Sequence, residues 1–328
     1  MDSKIGEYYF KRGPDSDSFE CVTASKAIKN GCTLFLDVSV EAIKNDGEGF
    51  NEVTLLQGAE TIVIKPKIII AADGKNSIFH RYFDKRFVKK SREAYGVSGK
   101  DFIQPDTSEI YFDSALAPGG YFYIVTCPSG LSSAGIVLGT NKMQRSPRRY
   151  FYDFLSKKPA ISDKIKSCNN KFAGEGHLFM LNRHTRDNLL LVGDAAGLAD
   201  PLMGYGMLPA IVSGYYAGEY SVEAIKTLSF KNKALAKRYE DEIRRRFSRR
   251  MSYALCRIFE SLDNKDLDML IKMANELEER TDVDDLMARP SISGLVHTVL
   301  VFLENLPGSG RLLARSCKGI CFIHLTNY

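Results

Sequence analysis

The sequence predicts an α/β protein whose parallel sheet takes strands from two separated stretches, with an antiparallel unit inserted between them and helices at the end. Three observations predict it. Lys67-Ile68-Ile69-Ile70-Ala71-Ala72 and Asn188-Leu189-Leu190-Leu191-Val192 are nearly all apolar, as strands covered on both faces of a parallel sheet are. Each run ends on an acid and a glycine, Asp73-Gly74 in one case and Gly193-Asp194 in the other. Between them, residues 94–140 alternate aromatic and small side chains, as in Ile110-Tyr111-Phe112 and Tyr121-Phe122-Tyr123-Ile124-Val125, a pattern of antiparallel strands.

The other elements follow in order. Residues 15–30 have helical character, and Gly31 stands where a terminating glycine belongs. Thr33 to Val38 reads as a buried strand, and Glu52–Gln57 and Thr61–Lys65 are further β-rich runs. A helix is expected around 147–156, with mixed structure to about 180. After Asp194 a glycine-rich turn leads into a helix over 206–227, then a long charged helix from Lys231 to Met251 and more helical sequence broken at Pro290 and Pro307. The domain division is therefore 1–90 and 183–228 for two parts of a nucleotide-binding domain, 91–182 for a substrate-binding domain and 229–328 for a C-terminal helical region.

With 328 residues the chain can bury two modest cores. A net charge of +5 falls short of the dense basic stripes of a dedicated nucleic-acid binder. The seven cysteines form no Cys-x-x-Cys pair, which suits reduced thiols and a cytoplasmic setting. Cys317 and Cys321 would share a helix face, a poor geometry for a disulfide. The histidines at 80, 177, 184, 297 and 324 show no ligand spacing, so no metal site is expected.

No apolar run is long enough for a spanning helix, and Met1 to Glu7 has no apolar core of a signal peptide. Ile292 to Leu306, interrupted by Gly294, His297 and Glu304, fits a packed amphipathic helix or one lying on a membrane surface. Arg244-Arg245-Arg246 with Arg249 and Arg250 fits a solvated face paired with Glu240, Asp241 and Glu242, or contacts to anionic head groups.

Chemistry is concentrated in residues 189–207, Leu-Leu-Leu-Val-Gly-Asp-Ala-Ala-Gly-Leu-Ala-Asp-Pro-Leu-Met-Gly-Tyr-Gly-Met. The buried strand delivers Asp194 to the carboxyl edge of the sheet, where α/β folds bind ligands. A carboxylate there can accept hydrogen bonds from sugar-alcohol hydroxyls. Ala195, Ala196 and Gly197 carry almost no side chain, so a ligand can approach the backbone. Gly204 and Gly206 free the turn before a helix whose first N–H groups are unpaired and partly positive. Pro209 falls in the first turn, where a missing N–H costs nothing.

This string resembles the second FAD motif of the p-hydroxybenzoate-hydroxylase-like flavoproteins, and most of all that of the geranylgeranyl reductase family of archaea and photosynthetic organisms. The resemblance implies that Gly193, Asp194, Ala195 and Gly197 bind FAD, with Asp194 on the ribityl chain. It also implies that Gly204, Gly206 and Met207 line the isoalloxazine ring. Ile70 to Arg81 resembles the family's strand-Asp-Gly-x-x-Ser element and adds Asp73 and Gly74 to the flavin site, although His80 holds the place of the usual arginine and Arg81 follows. Ala117-Pro118-Gly119-Gly120-Tyr121-Phe122-Tyr123 resembles the prenyl reductases' Pro-Gly-Gly-Tyr-x-Trp-x-Phe-Pro segment, so Tyr121 and Tyr123 are the implied substrate-lining residues. Here Tyr123 replaces the tryptophan, and Pro128 comes two positions late.

The likeness runs from about residue 5 to residue 260. It implies a three-layer FAD-binding domain and an FAD-dependent oxidoreductase that reduces isolated C=C bonds of prenyl chains on lipids. NAD(P)H or another reductant would be the electron source. A flavin monooxygenase, a quinone-linked dehydrogenase and a non-catalytic remnant share the fold and stand as alternatives. Neither a catalytic residue nor the proton donor is named by any motif. The family opens with a Gly-x-Gly-x-x-Gly turn for the pyrophosphate, and no such string occurs here. The FAD-binding domain is therefore expected to be incomplete, either because the sequence is a fragment or because a separate N-terminal polypeptide supplies the piece. The Ile68–Ala72 strand is expected to have an open apolar edge. The expected partners are a prenyl lipid and, as an alternative to a purely cytoplasmic protein, a membrane surface touched peripherally.

Overall fold

The computed structural model describes residues 11–83, 85–201, 204–227, 233–247 and 249–280. Helix α1 (Phe19–Lys29) starts where the Ser18 hydroxyl accepts the N–H of Cys21, and it ends before Gly31 at φ +92°. Strands β1 (Val38–Asn45), β2 (Phe50–Gln57) and β3 (Glu60–Ile64) then form an antiparallel meander.

Of the run Thr33 to Val38, expected as a buried strand, only Val38 lies in a strand, as the first residue of β1. Leu34, Phe35 and Leu36 are exposed, Leu36 by 64%, and these three join no ladder among the described residues. Apolar composition makes a strand only where a neighbour accepts its backbone.

Strand β4 (Ile69–Ala71) is followed by the antiparallel unit. It comprises β5 (Lys85–Lys100), β6 (Thr107–Tyr111), β7 (Tyr121–Thr126) and β8 (Leu131–Gly139), then α2 (Pro147–Ser156), α3 (Pro159–Lys166) and β9 (Asn170–Leu181). Its five strands lie in the order β6-β7-β8-β5-β9. Pro147 and Pro159 open their helices at the position where a lost N–H is harmless. Phe151, Phe154 and Leu155 of α2 bury themselves on Phe122, Ile124, Ile136 and Leu138, with the Phe122 and Phe154 rings stacked at 3.9 Å. Each such side chain contributes about 1.5–3 kcal/mol of burial.

The chain then returns to the first sheet through β10 (Thr185–Arg186) and β11 (Leu189–Leu191), and β11 pairs parallel with β4, Leu189 opposite Ile69 and Leu191 opposite Ala71. Both sides of the inserted unit therefore contribute to one sheet, as the sequence predicts. β4 forms its edge among the described residues. Ile70 is 41% exposed there, not covered on both faces.

Asn188 ties the meander to this sheet. Its amide donates to the carbonyls of Phe50 (2.9 Å) and Lys67 (3.1 Å) and accepts the N–H of Phe50 (2.8 Å).

Helix α4 (Met207–Lys226) matches its expected span. The expected single helix over 231–251 is instead α5 (Lys233–Arg246) and α6 (Arg249–Ser261), and α7 (Asn264–Glu278) starts from a capping box of Asp263 and Asp266. Tyr239 of α5 is buried and donates to the carbonyl of Leu191 at 2.7 Å. Arg245 and Arg246 pair with Glu242, and Arg244 lies 3.7 Å from Glu240, the paired-face reading of the arginine run. Pro290, Ile292–Leu306, Pro307, Cys317 and Cys321 lie outside the described residues.

Candidate active site

The site is built around the end of β11. The chain leaves Val192 in extended conformation and enters a short 3-10 turn, Gly193–Ala196, closed by Gly197 at φ +63°. A β-carbon on Gly197 would lie 2.7 Å from the carbonyl oxygen of Phe179, so no other residue fits that turn. The Gly193 N–H donates to the Ser213 hydroxyl at 2.9 Å, and that hydroxyl donates to the Pro209 carbonyl at 2.6 Å. One buried serine thus staples the strand exit to the first turn of α4.

Asp194 stands exposed on this turn, and no described residue pairs with its carboxylate. Gly206, the residue before α4, faces it: a β-carbon there would come 3.1 Å from Asp194 Oδ1. Gly204 (φ +79°) leaves open space beside the site: a β-carbon there would meet only the Arg92 Cδ, at 4.0 Å. Met207 begins α4, so the unpaired first N–H groups of the helix lie next to Gly206. The string of small residues has become a cradle with an acid on one wall and a helix start on another.

Asp73 and Gly74 reach the same edge from β4. The Asp73 carboxylate accepts the Ile78 N–H at 2.9 Å and the Ser77 hydroxyl accepts that of Phe79 at 3.2 Å, so both fold their own turn. The 3-10 turn Gly74–Asn76 packs on Gly193–Ala196. The turn also delivers His80, which is buried, meets Phe179 edge to face at 4.9 Å and donates from Nε2 to the Ala195 carbonyl at 2.7 Å. The departure from the usual arginine is therefore a second link between the two motifs.

Tyr121 and Tyr123 come from β7, beside the loop that carries Tyr205. Burial raises the Tyr121 phenol well above its ordinary pKa, and the phenols of Tyr205 and Tyr123 act in the same direction. The Tyr123 phenol is raised mainly by burial. Their rings lie 6.3 Å apart, and Phe112 stands 6.2 Å from Tyr121. Gly119 and Gly120 let this strand start against β8, since a β-carbon on Gly120 would lie 1.8 Å from the Val137 carbonyl oxygen.

Sequence reading missed Arg92. It is 4% exposed in β5 and gives Nε and Nη2 to the Pro201 carbonyl (3.2 and 2.9 Å) and Nη1 to that of Gly119 (2.7 Å). Nη2 also lies 3.2 Å from Cys256 Sγ. Nothing local in Ser91-Arg92-Glu93 marks it, because every partner is distant in sequence. Leu202 and Met203 of the motif lie outside the described residues, and no cluster of metal-binding type occurs among the described ones.

An unpartnered carboxylate, a glycine-walled gap and a helix start fit the ribityl chain and ring of FAD. A match to the FAD binding domain family model covers residues 16–251. The chain is 29% identical over 281 residues to the digeranylgeranylglycerophospholipid reductase of Methanocaldococcus jannaschii, covering 83% of this chain and 70% of that protein. It is 28% identical over 273 residues to the enzyme of the same name from Thermoplasma volcanium, covering 80% and 68%. Among solved structures, a geranylgeranyl bacteriochlorophyll reductase-like protein from Thermoplasma acidophilum shares the fold with a TM-score of 0.72 at 23% identity, over 92% of this chain and 77% of that one. The flavin-dependent brominase Bmp2 shares it with a TM-score of 0.65 at 18% identity, over 85% and 70%. The chain thus spans about seven-tenths of the length of these curated relatives. On the match that runs through Asp73, Tyr121, Asp194 and Gly206, the chain belongs to the FAD binding domain family, as an FAD-dependent oxidoreductase similar to the geranylgeranyl reductases.

Proposed function

We propose that this chain reduces isolated C=C bonds of prenyl chains, such as geranylgeranyl groups on lipids, with NAD(P)H or another reductant as the electron source. When bound, FAD would supply the hydride from N5 of its reduced form, and a proton drawn ultimately from solvent would complete the saturation. Asp194 would accept hydrogen bonds from the ribityl hydroxyls. The open space at Gly204 and Gly206 would admit the ring, and the N-terminus of α4 would offset negative charge on it. Tyr121, Phe112 and Tyr123 form an aromatic wall that orients the alkene and excludes water. The pyrophosphate would be held by a strand–glycine turn–helix element that is not among these 328 residues, and the edge of β4 is where such a strand could pair. A lipid substrate would bring the protein to the membrane as a peripheral visitor, and no helix among the described residues is long and apolar enough to cross one.

One observation favours a prenyl chain over an aromatic acid. A site for an aromatic carboxylate needs a cation to receive it. Arg92 is the buried arginine beside Tyr121, and its donors are engaged by the Pro201 and Gly119 carbonyls. The rings of Tyr121, Tyr123 and Phe112 stand together beside it.

The test uses flavin-loaded protein reduced under anaerobic conditions. Mixing with a geranylgeranyl lipid should restore the oxidised flavin band and saturate the lipid. Flavin that ignores every prenyl lipid, yet reacts with oxygen and hydroxylates p-hydroxybenzoate, would establish the monooxygenase reading instead.

A further inference from the structure

Arg92 is a charged residue in an interior strand. β5 is paired on both sides, and the register places Gly139 of β8 and Gly176 of β9 directly opposite Arg92. Two glycine neighbours leave room for a long side chain to lie along the sheet. Gly139 also backs the substrate segment, its N–H donating to the Pro118 carbonyl at 3.2 Å.

A guanidinium is tolerated at such burial only where its N–H groups are engaged. Here the planar fork reaches two separate segments at once. Nε and Nη2 hold Pro201, in the loop whose Asp200 N–H closes on the Tyr205 carbonyl at 2.7 Å. Nη1 holds Gly119, in the turn that the Gly120 N–H closes on Ala117 at 3.0 Å. Behind the fork stand Cys256 and Glu260 of α6, the latter 3.8 Å from Nη2.

We propose that Arg92 is a positioning residue that clamps the flavin-ring loop, at Pro201, to the substrate segment, Ala117–Tyr123. The two walls of the active site then keep one spacing and open only together. The functional meaning of this clamp rests on the flavin reading above; the clamp itself does not. A lysine keeps the charge but presents a single donor centre, which cannot copy the planar fork. A methionine fills similar space with no donor.

Hydrogen exchange on the full chain tests it, comparing the parent with Arg92→Lys and Arg92→Met. The informative amides are Asp200 and Gly120, with Leu191, bonded to the His184 carbonyl at 2.8 Å, as the internal reference. In the methionine variant, protection at Asp200 and Gly120 should fall together by roughly tenfold to a hundredfold, as loss of hydrogen bonds from a charged donor implies. The lysine variant should fall between the two, and Leu191 should hold. Opening of one segment alone, or equal loss at Leu191, overturns the clamp. Should the methionine variant fail to fold, the same comparison between lysine and parent decides.

FAD affinity, read by quenching of flavin fluorescence, is the second arm. It should drop by roughly tenfold in Arg92→Met and recover in part in Arg92→Lys. Coupled opening with unchanged FAD affinity upholds the clamp and counts against the flavin reading. Reduced affinity without coupled opening overturns the clamp.

Discussion

The imidazole of His80 donates to the main-chain carbonyl of Ala195 at 2.7 Å, joining the turn after β4 to the turn after β11. His80→Phe keeps the ring on Phe179 and strands the carbonyl. It should cost about 1–3 kcal/mol in urea unfolding, the penalty of an unsatisfied buried acceptor. His80→Gln, which can still donate, should recover part of that. FAD affinity should fall in the same order, because the tethered turn carries Asp194.

Asp194 is exposed and has no partner among the described residues. Asp194→Ala should therefore leave the melting temperature within about 2 °C, as surface changes do, while FAD retention on gel filtration, in protein completed by the pyrophosphate-binding segment, drops strongly. Gly206→Val should do the same by filling the space 3.1 Å from Asp194 Oδ1. Full flavin content in both variants would sink the assignment of this cradle.

Gly120 behaves differently, since its missing side chain serves packing alone. A β-carbon there would collide with the Val137 carbonyl at 1.8 Å and break the start of β7. Gly120→Ala should destabilise the antiparallel unit by at least about 2 kcal/mol, in the range of overpacked cores. Chemical denaturation followed by near-ultraviolet circular dichroism of Tyr121 and Tyr123 reads this directly.

Glu240 lies buried beneath β10. Burial pushes its carboxyl up, but hydrogen bonds from the His184 ring and the His184 and Thr185 N–H groups outweigh that and hold it below the ordinary range. A depressed folded pKa stabilises the protein above the unfolded value, about 4.3, and the stabilisation is lost as pH falls through the lower folded value. Glu240→Gln should cost about 1.5–3 kcal/mol at neutral pH, the worth of hydrogen bonds to a charged group. Urea titrations from neutral to acidic pH should show that difference shrinking below about pH 4.

What the sequence disclosed depended on how local the cause was. Leu189–Val192 announces a central strand because burial on both faces demands hydrocarbon at every position, whereas Ile68–Ala72 carries the same pattern with Ile70 exposed at the edge of the described sheet. Helices α2 and α4 are marked by Pro147 and by the glycines before Met207. Strand β9 was invisible, because Asn170-Lys171-Phe172-Ala173-Gly174-Glu175-Gly176 has no alternation and is extended only by pairing with β5. The break between α5 and α6 falls between Arg246 and Arg249, where no glycine or proline marks it. The cradle of small residues at 193–206 was legible as composition. The clamp of Arg92 was not, since its meaning lies in carbonyls 27 and 109 positions away.

The parallel pairing of Ile69 with Leu189 has a consequence in time. The long antiparallel ladders of β5 with β8 and β9 join segments that lie between those two strands in the chain. Closing the shorter loops costs less entropy and comes first, so the inserted sheet should assemble while β4 and β11 are still apart. The cradle hangs on their meeting, which makes cofactor binding the last event of assembly and FAD a selector among nearly finished molecules. Pulse-labelled exchange during refolding should find amides of β8 protected before that of Val192, whose N–H bonds the Ala71 carbonyl at 3.1 Å, with added FAD changing only the later phase.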